Sequence, residues 1–133
     1  MIIHNTDSNT QKHFDMNGYD IISIDVSRDG KLVYFGDENP RPSVVCWSPE
    51  KQKEIFRVKR GLADGVDNLS VSPTNKYLAA TCSDYNHSIV IFDLDNFTAP
   101  IMTGEAGEQT ITCIVWITDE ELILVGPKVY QYW

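Results

Sequence analysis

Cysteine is scarce in this sequence, and basic residues are outnumbered. The three cysteines, Cys46, Cys82 and Cys113, are too few for the disulfide framework that holds small secreted domains together. None forms a Cys-x-x-Cys pair or has a histidine at metal-ligand spacing, which excludes the familiar zinc patterns. Each lies in an apolar, β-branched-rich run, where a free thiol serves as a small core hydrophobe in a reducing compartment. Long hydrophobic runs are missing as well. The longest, Cys113–Ile117, falls far short of the roughly 20 residues of a membrane helix. Met1–Asp7 lacks the basic start and apolar core of a signal peptide, so the Asn-x-Ser/Thr matches at Asn68, Asn86 and Asn96 read as chance in a cytoplasmic protein. Eleven Lys and Arg face 19 Asp and Glu, a net charge of −8, which argues against nucleic acid or an anionic membrane as the main partner.

What is present is strand. The 133 residues are 42% hydrophobic and 23% charged, the size and balance of one ordinary globular domain. Alternating or apolar runs at Ile21–Ser27, Lys31–Gly36, Val44–Trp47, Glu54–Val58, Val66–Ser72 and Lys76–Cys82 predict strands, as do Ser88–Leu94, Pro100–Thr103, Ile111–Ile117, Glu121–Gly126 and Lys128–Trp133. Turn signals such as Arg28-Asp29-Gly30 and Pro73-Thr74-Asn75 separate them. No window carries a helical period, so the expected class is all-β.

The strands also repeat. Ile24–Val33 lies on Leu69–Leu78 at an offset of 45 residues, and a second step of 45 carries Val71 onto Trp116, with Ile117–Ile123 continuing without a gap. The same offset carries Ser43–Ser48 onto Ser88–Asp93, and a loop shorter by four residues then places Trp133 where Trp47 and Phe92 stand. A period of 40–45 residues with an aromatic closing the third strand marks a WD40-type β-propeller blade, a four-stranded antiparallel sheet stacked face to face on its neighbours. Trp47, Phe92 and Trp133 are therefore expected to fill space between blades. Ile2–Phe14 resembles Val45–Arg57, the end of a third strand, a turn and a fourth strand. The expected organisation is a propeller fragment of two whole and two partial blades: residues 1–18 end a preceding blade, 19–60 and 61–104 are whole, and 105–133 are incomplete, all belonging to one larger propeller. Val26, Val71 and Trp116 are expected at equivalent, buried places on inner strands.

Certain segments carry a closer resemblance. Ser83-Asp84-Tyr85-Asn86-His87-Ser88-Ile89-Val90-Ile91-Phe92-Asp93 resembles the D-x-N-H-x-I-x-V-W-D segment of the echinoderm-microtubule-associated-protein-like (EMAP-like) family. Arg60–Pro73 is similar to that family's G-x-x-x-G-V-x-x-L-x-F-S-P lead-in, and Val125–Trp133 to its blade ending x-G-x-K-H-I-x-F-W. The likeness runs from about Tyr19 to Trp133, with Phe92 in place of the usual Trp and Val129 where His is common. It implies a non-enzymatic WD-repeat scaffold of a microtubule-associated protein, cytoskeletal or axonemal, binding tubulin or other cytoskeletal proteins within a large assembly or a longer chain. The alternative is a WD-repeat adaptor of a soluble complex without microtubule contact.

No residues support an enzyme reading, and no cofactor is expected. His4, His13 and His87 are scattered, and no Gly-x-Ser-x-Gly elbow or phosphate-cradling glycine loop occurs, so a propeller hydrolase has no candidate set. Asp119-Glu120-Glu121 falls on a turn, while Asp84 and Asp93 bracket a strand, where turn-capping is expected. Charge is informative. Residues 1–66 carry 9 basic and 10 acidic groups, residues 67–133 carry 2 and 9. Lys51, Lys53, Arg57, Lys59 and Arg60 fall within ten positions. They read either as an outer strand kept charged against edge-to-edge pairing or as a basic protein-interaction patch facing an acidic surface such as tubulin.

Overall fold

The computed structural model describes residues 1–14 and 20–133, and among them the regular structure is entirely β. A hairpin of β1 (Ile2–Asn5) and β2 (Thr10–His13) is followed by a sheet of β3 (Asp20–Val26), β4 (Val33–Glu38), β5 (Val44–Ser48) and β6 (Lys53–Val58). A second four-stranded sheet holds β7 (Val66–Val71), β8 (Tyr77–Cys82), β9 (Ser88–Asp93) and β10 (Pro100–Glu105). The third, of β11 (Cys113–Trp116), β12 (Leu122–Gly126) and β13 (Val129–Tyr132), has three strands. Each sheet is antiparallel with strands in sequence order, giving two whole and two partial blades. Residues 15–19, where one blade unit was expected to pass into the next, lie outside the described residues.

The register carries the repeat. Val26 pairs with Val33 and Val71 with Leu78, but Trp116 pairs with Leu122. The Ser27 and Ser72 N–H groups reach back to the carbonyls of Leu32 and Tyr77, whereas the Ile117 N–H reaches Glu121. The β11–β12 turn is thus one residue shorter, correcting the gap-free continuation. The three closing aromatics stay equivalent: Trp47 pairs with Val33, Phe92 with Leu78, and Trp133 exchanges backbone hydrogen bonds of 2.9 and 3.0 Å with Leu122.

Three apolar clusters form between successive blades, because alternate residues of each strand point to opposite faces. Trp47 packs toward the hairpin, its ring centroid 4.5 Å from that of Phe14. Phe92 lies fully buried against the first whole blade, beside Phe56 and Phe97. Trp133 packs with Ile114, Leu122 and Leu124 against the second. Close approach of β4 to β7 requires Gly36, since a Cβ there would lie 2.5 Å from that of Val66.

Hydrogen bonds between inner strands recur at the same offset. The Ser23 hydroxyl donates to the Val66 carbonyl (2.5 Å), and the Asn68 amide, at the same repeat position, donates to the Ile111 carbonyl (3.0 Å). The Val71 N–H donates to Asp25 (2.7 Å), and the Trp116 indole to the Ser70 carbonyl (2.9 Å). Val26, Val71 and Trp116 do occupy equivalent places, but only Val71 is buried; Val26 is 41% exposed and Trp116 half-buried. Val26 lies on the side of β3 that the two-stranded hairpin leaves uncovered. Cys46 and Cys82 are core residues as expected, whereas Cys113 is exposed, on the face of β11 shared with exposed Val115 and Ile117.

Candidate functional site

The five basic residues lie on or beside β6, the outer strand of its sheet, and the structure does not gather them into one patch. Lys51 and Lys53 flank the β5–β6 turn, and Lys59 and Arg60 follow the other end of the strand; all four are exposed. At about 3.3 Å per residue, the six-residue strand holds the two pairs roughly 20 Å apart. Arg57 turns inward. Its Nη2 and Nε donate to Glu54 at 2.7 and 3.2 Å, and its Nη1 donates to the Ser43 hydroxyl at 2.9 Å. The same Nη1 stands 4.0 Å from buried Asp37. Asp37 in turn accepts from the Ser43 N–H (2.9 Å) and hydroxyl (2.5 Å). Arg57 therefore secures the β4–β5 turn, a role that spacing alone does not reveal. Arg60 faces Pro100–Thr103 of β10 across an open groove of about 340 Å³.

A serine, a histidine and an aspartate meet at the β8–β9 turn, but not as a catalytic set. The Ser83 hydroxyl donates to Asp67 (2.5 Å), so its proton faces the carboxylate rather than the imidazole. His87 Nδ1 sits 3.3 Å from the Cys82 carbonyl and 3.9 Å from Asp67. Asp84 accepts from the Ser88 N–H (2.9 Å) and hydroxyl (2.8 Å), repeating what Asp37 does for Ser43, and Asp93 accepts from the Asp95 N–H (2.9 Å). These carboxylates cap turns, the role the sequence suggested for Asp84 and Asp93. Asp119 joins two blades by accepting from the Thr74 N–H (3.2 Å) and hydroxyl. Hydrogen bonds from the Thr74 and Ser72 hydroxyls hold its carboxyl below the ordinary 3.8. Among the described residues no three His, Cys, Asp or Glu side chains gather as a metal site would require.

Solved structures of similar shape decide the architecture. "Structure of U3-55K" superposes with a TM-score of 0.76 at 17% identity, covering 90% of this chain and 37% of that one. "Crystal structure of RRP9 WD40 repeats" does so with a TM-score of 0.75 at 16% identity, covering 90% and 36%. The fold is that of a WD40 propeller. Among curated proteins, this chain is 24% identical over 119 residues to the ciliary WD repeat-containing protein ctxp80 of Euplotoides octocarinatus, covering 86% of this chain. It spans only 16% of that relative's length. No family model matches the chain. These relatives support WD40 repeats in general rather than the EMAP-like family in particular, and they indicate no family of enzymes.

Proposed function

We propose that this chain is a non-enzymatic WD-repeat scaffold segment of a microtubule-associated protein, cytoskeletal or axonemal, that binds tubulin or other cytoskeletal proteins. The observation that carries the scaffold reading is the stacking of blades through hydrogen bonds repeated at one offset, which makes a rigid support for exposed loops and edges. The microtubule reading draws its support from the EMAP-like segments at Ser83–Asp93 and Val125–Trp133 and from a ciliary WD-repeat relative. Residues 1–18, 19–60, 61–104 and 105–133 are successive blade units of one larger propeller, completed in the same polypeptide or by another chain. Ring closure takes about four to eight blades, and the sheets here leave apolar faces open.

Lys51, Lys53, Lys59 and Arg60 are the candidate contacts for the acidic tubulin surface. Each exposed ion pair is worth about 0.2–1 kcal/mol, so four together shift affinity by tenfold or more without carrying a complex alone. The test is co-pelleting of the full-length protein with polymerised tubulin. Pelleting is expected, weaker with these four residues changed to Glu and weaker as rising salt shortens the Debye length below about 8 Å. Failure of the unaltered protein to pellet selects the adaptor reading; unchanged, salt-insensitive pelleting of the variant assigns the four residues to edge protection alone.

A further inference from the structure

We propose that the niche between the β3–β4 and β5–β6 turns docks an acidic polypeptide segment, which seats one bulky apolar side chain on Leu32 and Ile55 and sets its carboxylates against Lys31, Lys51 and Lys53. The proposal rests on the scaffold reading and deepens the assignment of Lys51 and Lys53 as contacts. The fold adds Lys31, which the charge run at residues 51–60 does not include. The niche has a volume of about 260 Å³ and is lined by Asp29, Lys31, Leu32, Glu50, Lys51 and Ile55.

Strand pairing makes the apolar floor. Phe56 pairs with Cys46 and Glu54 with Trp47, so Ile55 is the extra residue of a bulge, and a bulge re-aims its side chain. Phe56 packs against the core cluster shared with the next sheet, while Ile55 stays 40% exposed. Leu32 packs against the same cluster, so the niche borders the interface of two whole blades. One repeat further on, the positions of Leu32 and Val71 hold Tyr77 and Trp116, whose stacked rings lie 6.5 Å apart. The shorter side chains at the first interface leave space. An apolar cavity of about 150 Å³ holds a benzene ring, so the niche has room for a phenylalanine or leucine side chain.

Charge selects the segment that carries it. Asp29 is already engaged: it accepts from the Ser27 hydroxyl (2.6 Å) and the Lys31 N–H (3.2 Å), and it stands 3.5 Å from the Lys31 ammonium, on a side chain 77% exposed. Lys51 and Lys53 are exposed and have no ion pair among the described residues. Lys53 pairs with Ser48 at the base of the same turn. Three ammonium groups thus accompany two carboxylates, Asp29 and Glu50, a local positive excess in a chain of net charge −8. That excess favours an acidic partner over a basic one, and the lysine stems add apolar cover around a seated side chain. The apolar anchor supplies most of the affinity, because each exposed ion pair contributes little.

The test titrates the full-length protein with the fluorescein-labelled peptide EEEFEEE, read by anisotropy. Saturable binding is expected, at least tenfold weaker for EEEAEEE, weaker as salt rises, and absent for KKKFKKK. Lys31→Glu with Lys51→Glu is expected to weaken it at least tenfold. Ile55→Arg, at a partly exposed position that accepts a long polar side chain, is expected to abolish it. Tyr85→Ala, 75% exposed on the β8–β9 turn, is expected to leave it unchanged. Thermal midpoints equal to that of the unaltered protein show that the variants are folded. Absence of saturable binding, equal binding of EEEAEEE, or undiminished binding by folded Ile55→Arg overturns the proposal. Peptide binding without tubulin pelleting keeps the niche and overturns the microtubule reading; pelleting without peptide binding does the reverse.

Discussion

Cys46 and Cys82 are fully buried, and loss of hydration pushes each thiol up to about 11. The thiolate is the reactive form, so both are expected to resist a thiol reagent until the sheets separate. Exposed Cys113 is expected to react at once, giving one fast equivalent in native buffer and three in denaturant. A complete propeller with another blade against β11 is expected to slow Cys113 too; equal native rates at all three would mean that the interfaces between blades are open. Asp119 makes the second residue-scale prediction. Its hydrogen bonds to Thr74 and Ser72 lower its carboxyl pKa in the folded chain, so their contribution is complete above the unfolded value of about 3.9. It is lost as pH falls through the lowered value. An NMR titration is expected to show the Thr74 amide shifting only in that acid range. Asp119→Asn removes the transition, and persistence of the shift in that variant would assign it to another group.

At the scale of the element, β6 combines two kinds of basic residue. The side chains of the four exposed ones make no hydrogen bond or ion pair with the described residues, and reversing each changes stability by at most about 0.5 kcal/mol. Arg57 differs because it bridges Glu54, Ser43 and the neighbourhood of buried Asp37. Arg57→Ala is expected to cost about 1–3 kcal/mol, the range for a buried polar group deprived of its partner, read as a lower urea midpoint. A midpoint equal to that of the Lys51, Lys53, Lys59 and Arg60 reversal would show that Arg57 is a surface charge. Any charge-reversal test of partner binding should therefore leave Arg57 intact, since changing it confounds folding with recognition.

For the whole molecule the governing fact is that interior blade faces are covered and terminal ones are not. Ile22, Ile24 and Val26 on β3 are exposed, as are Val115, Val125, Tyr130 and Tyr132 on the third sheet. In the completed propeller we propose, further blades cover them; in isolation they are apolar patches beside open strand edges, a combination that drives association. Sedimentation velocity of the isolated 133 residues is expected to show concentration-dependent self-association, reduced by Ile24→Lys with Val115→Lys. A monomer at every concentration that unfolds cooperatively would count against the larger propeller.

The all-β class, the blade period and the turn-capping carboxylates were legible in the sequence because they are local. Alternation sets which side of a strand a residue faces, and the 45-residue recurrence of Val26, Val71 and Trp116 is visible without coordinates. The shortened β11–β12 turn was not, since deleting a turn residue leaves the flanking pattern nearly intact. Burial at equivalent positions was not legible either: Val71 is covered and Val26 is open for lack of inner strands beside β3, which is a property of the neighbour. The inward turn of Arg57 depends on Asp37 and Ser43, brought to it by strand pairing across the sheet. The niche floored by Leu32 and Ile55 exists only where two turns of one sheet meet. Strand periodicity is a short-range property that the chain itself encodes, whereas which faces are covered, which charges are bound and which gaps stay open depend on pairing and packing between residues distant along the chain.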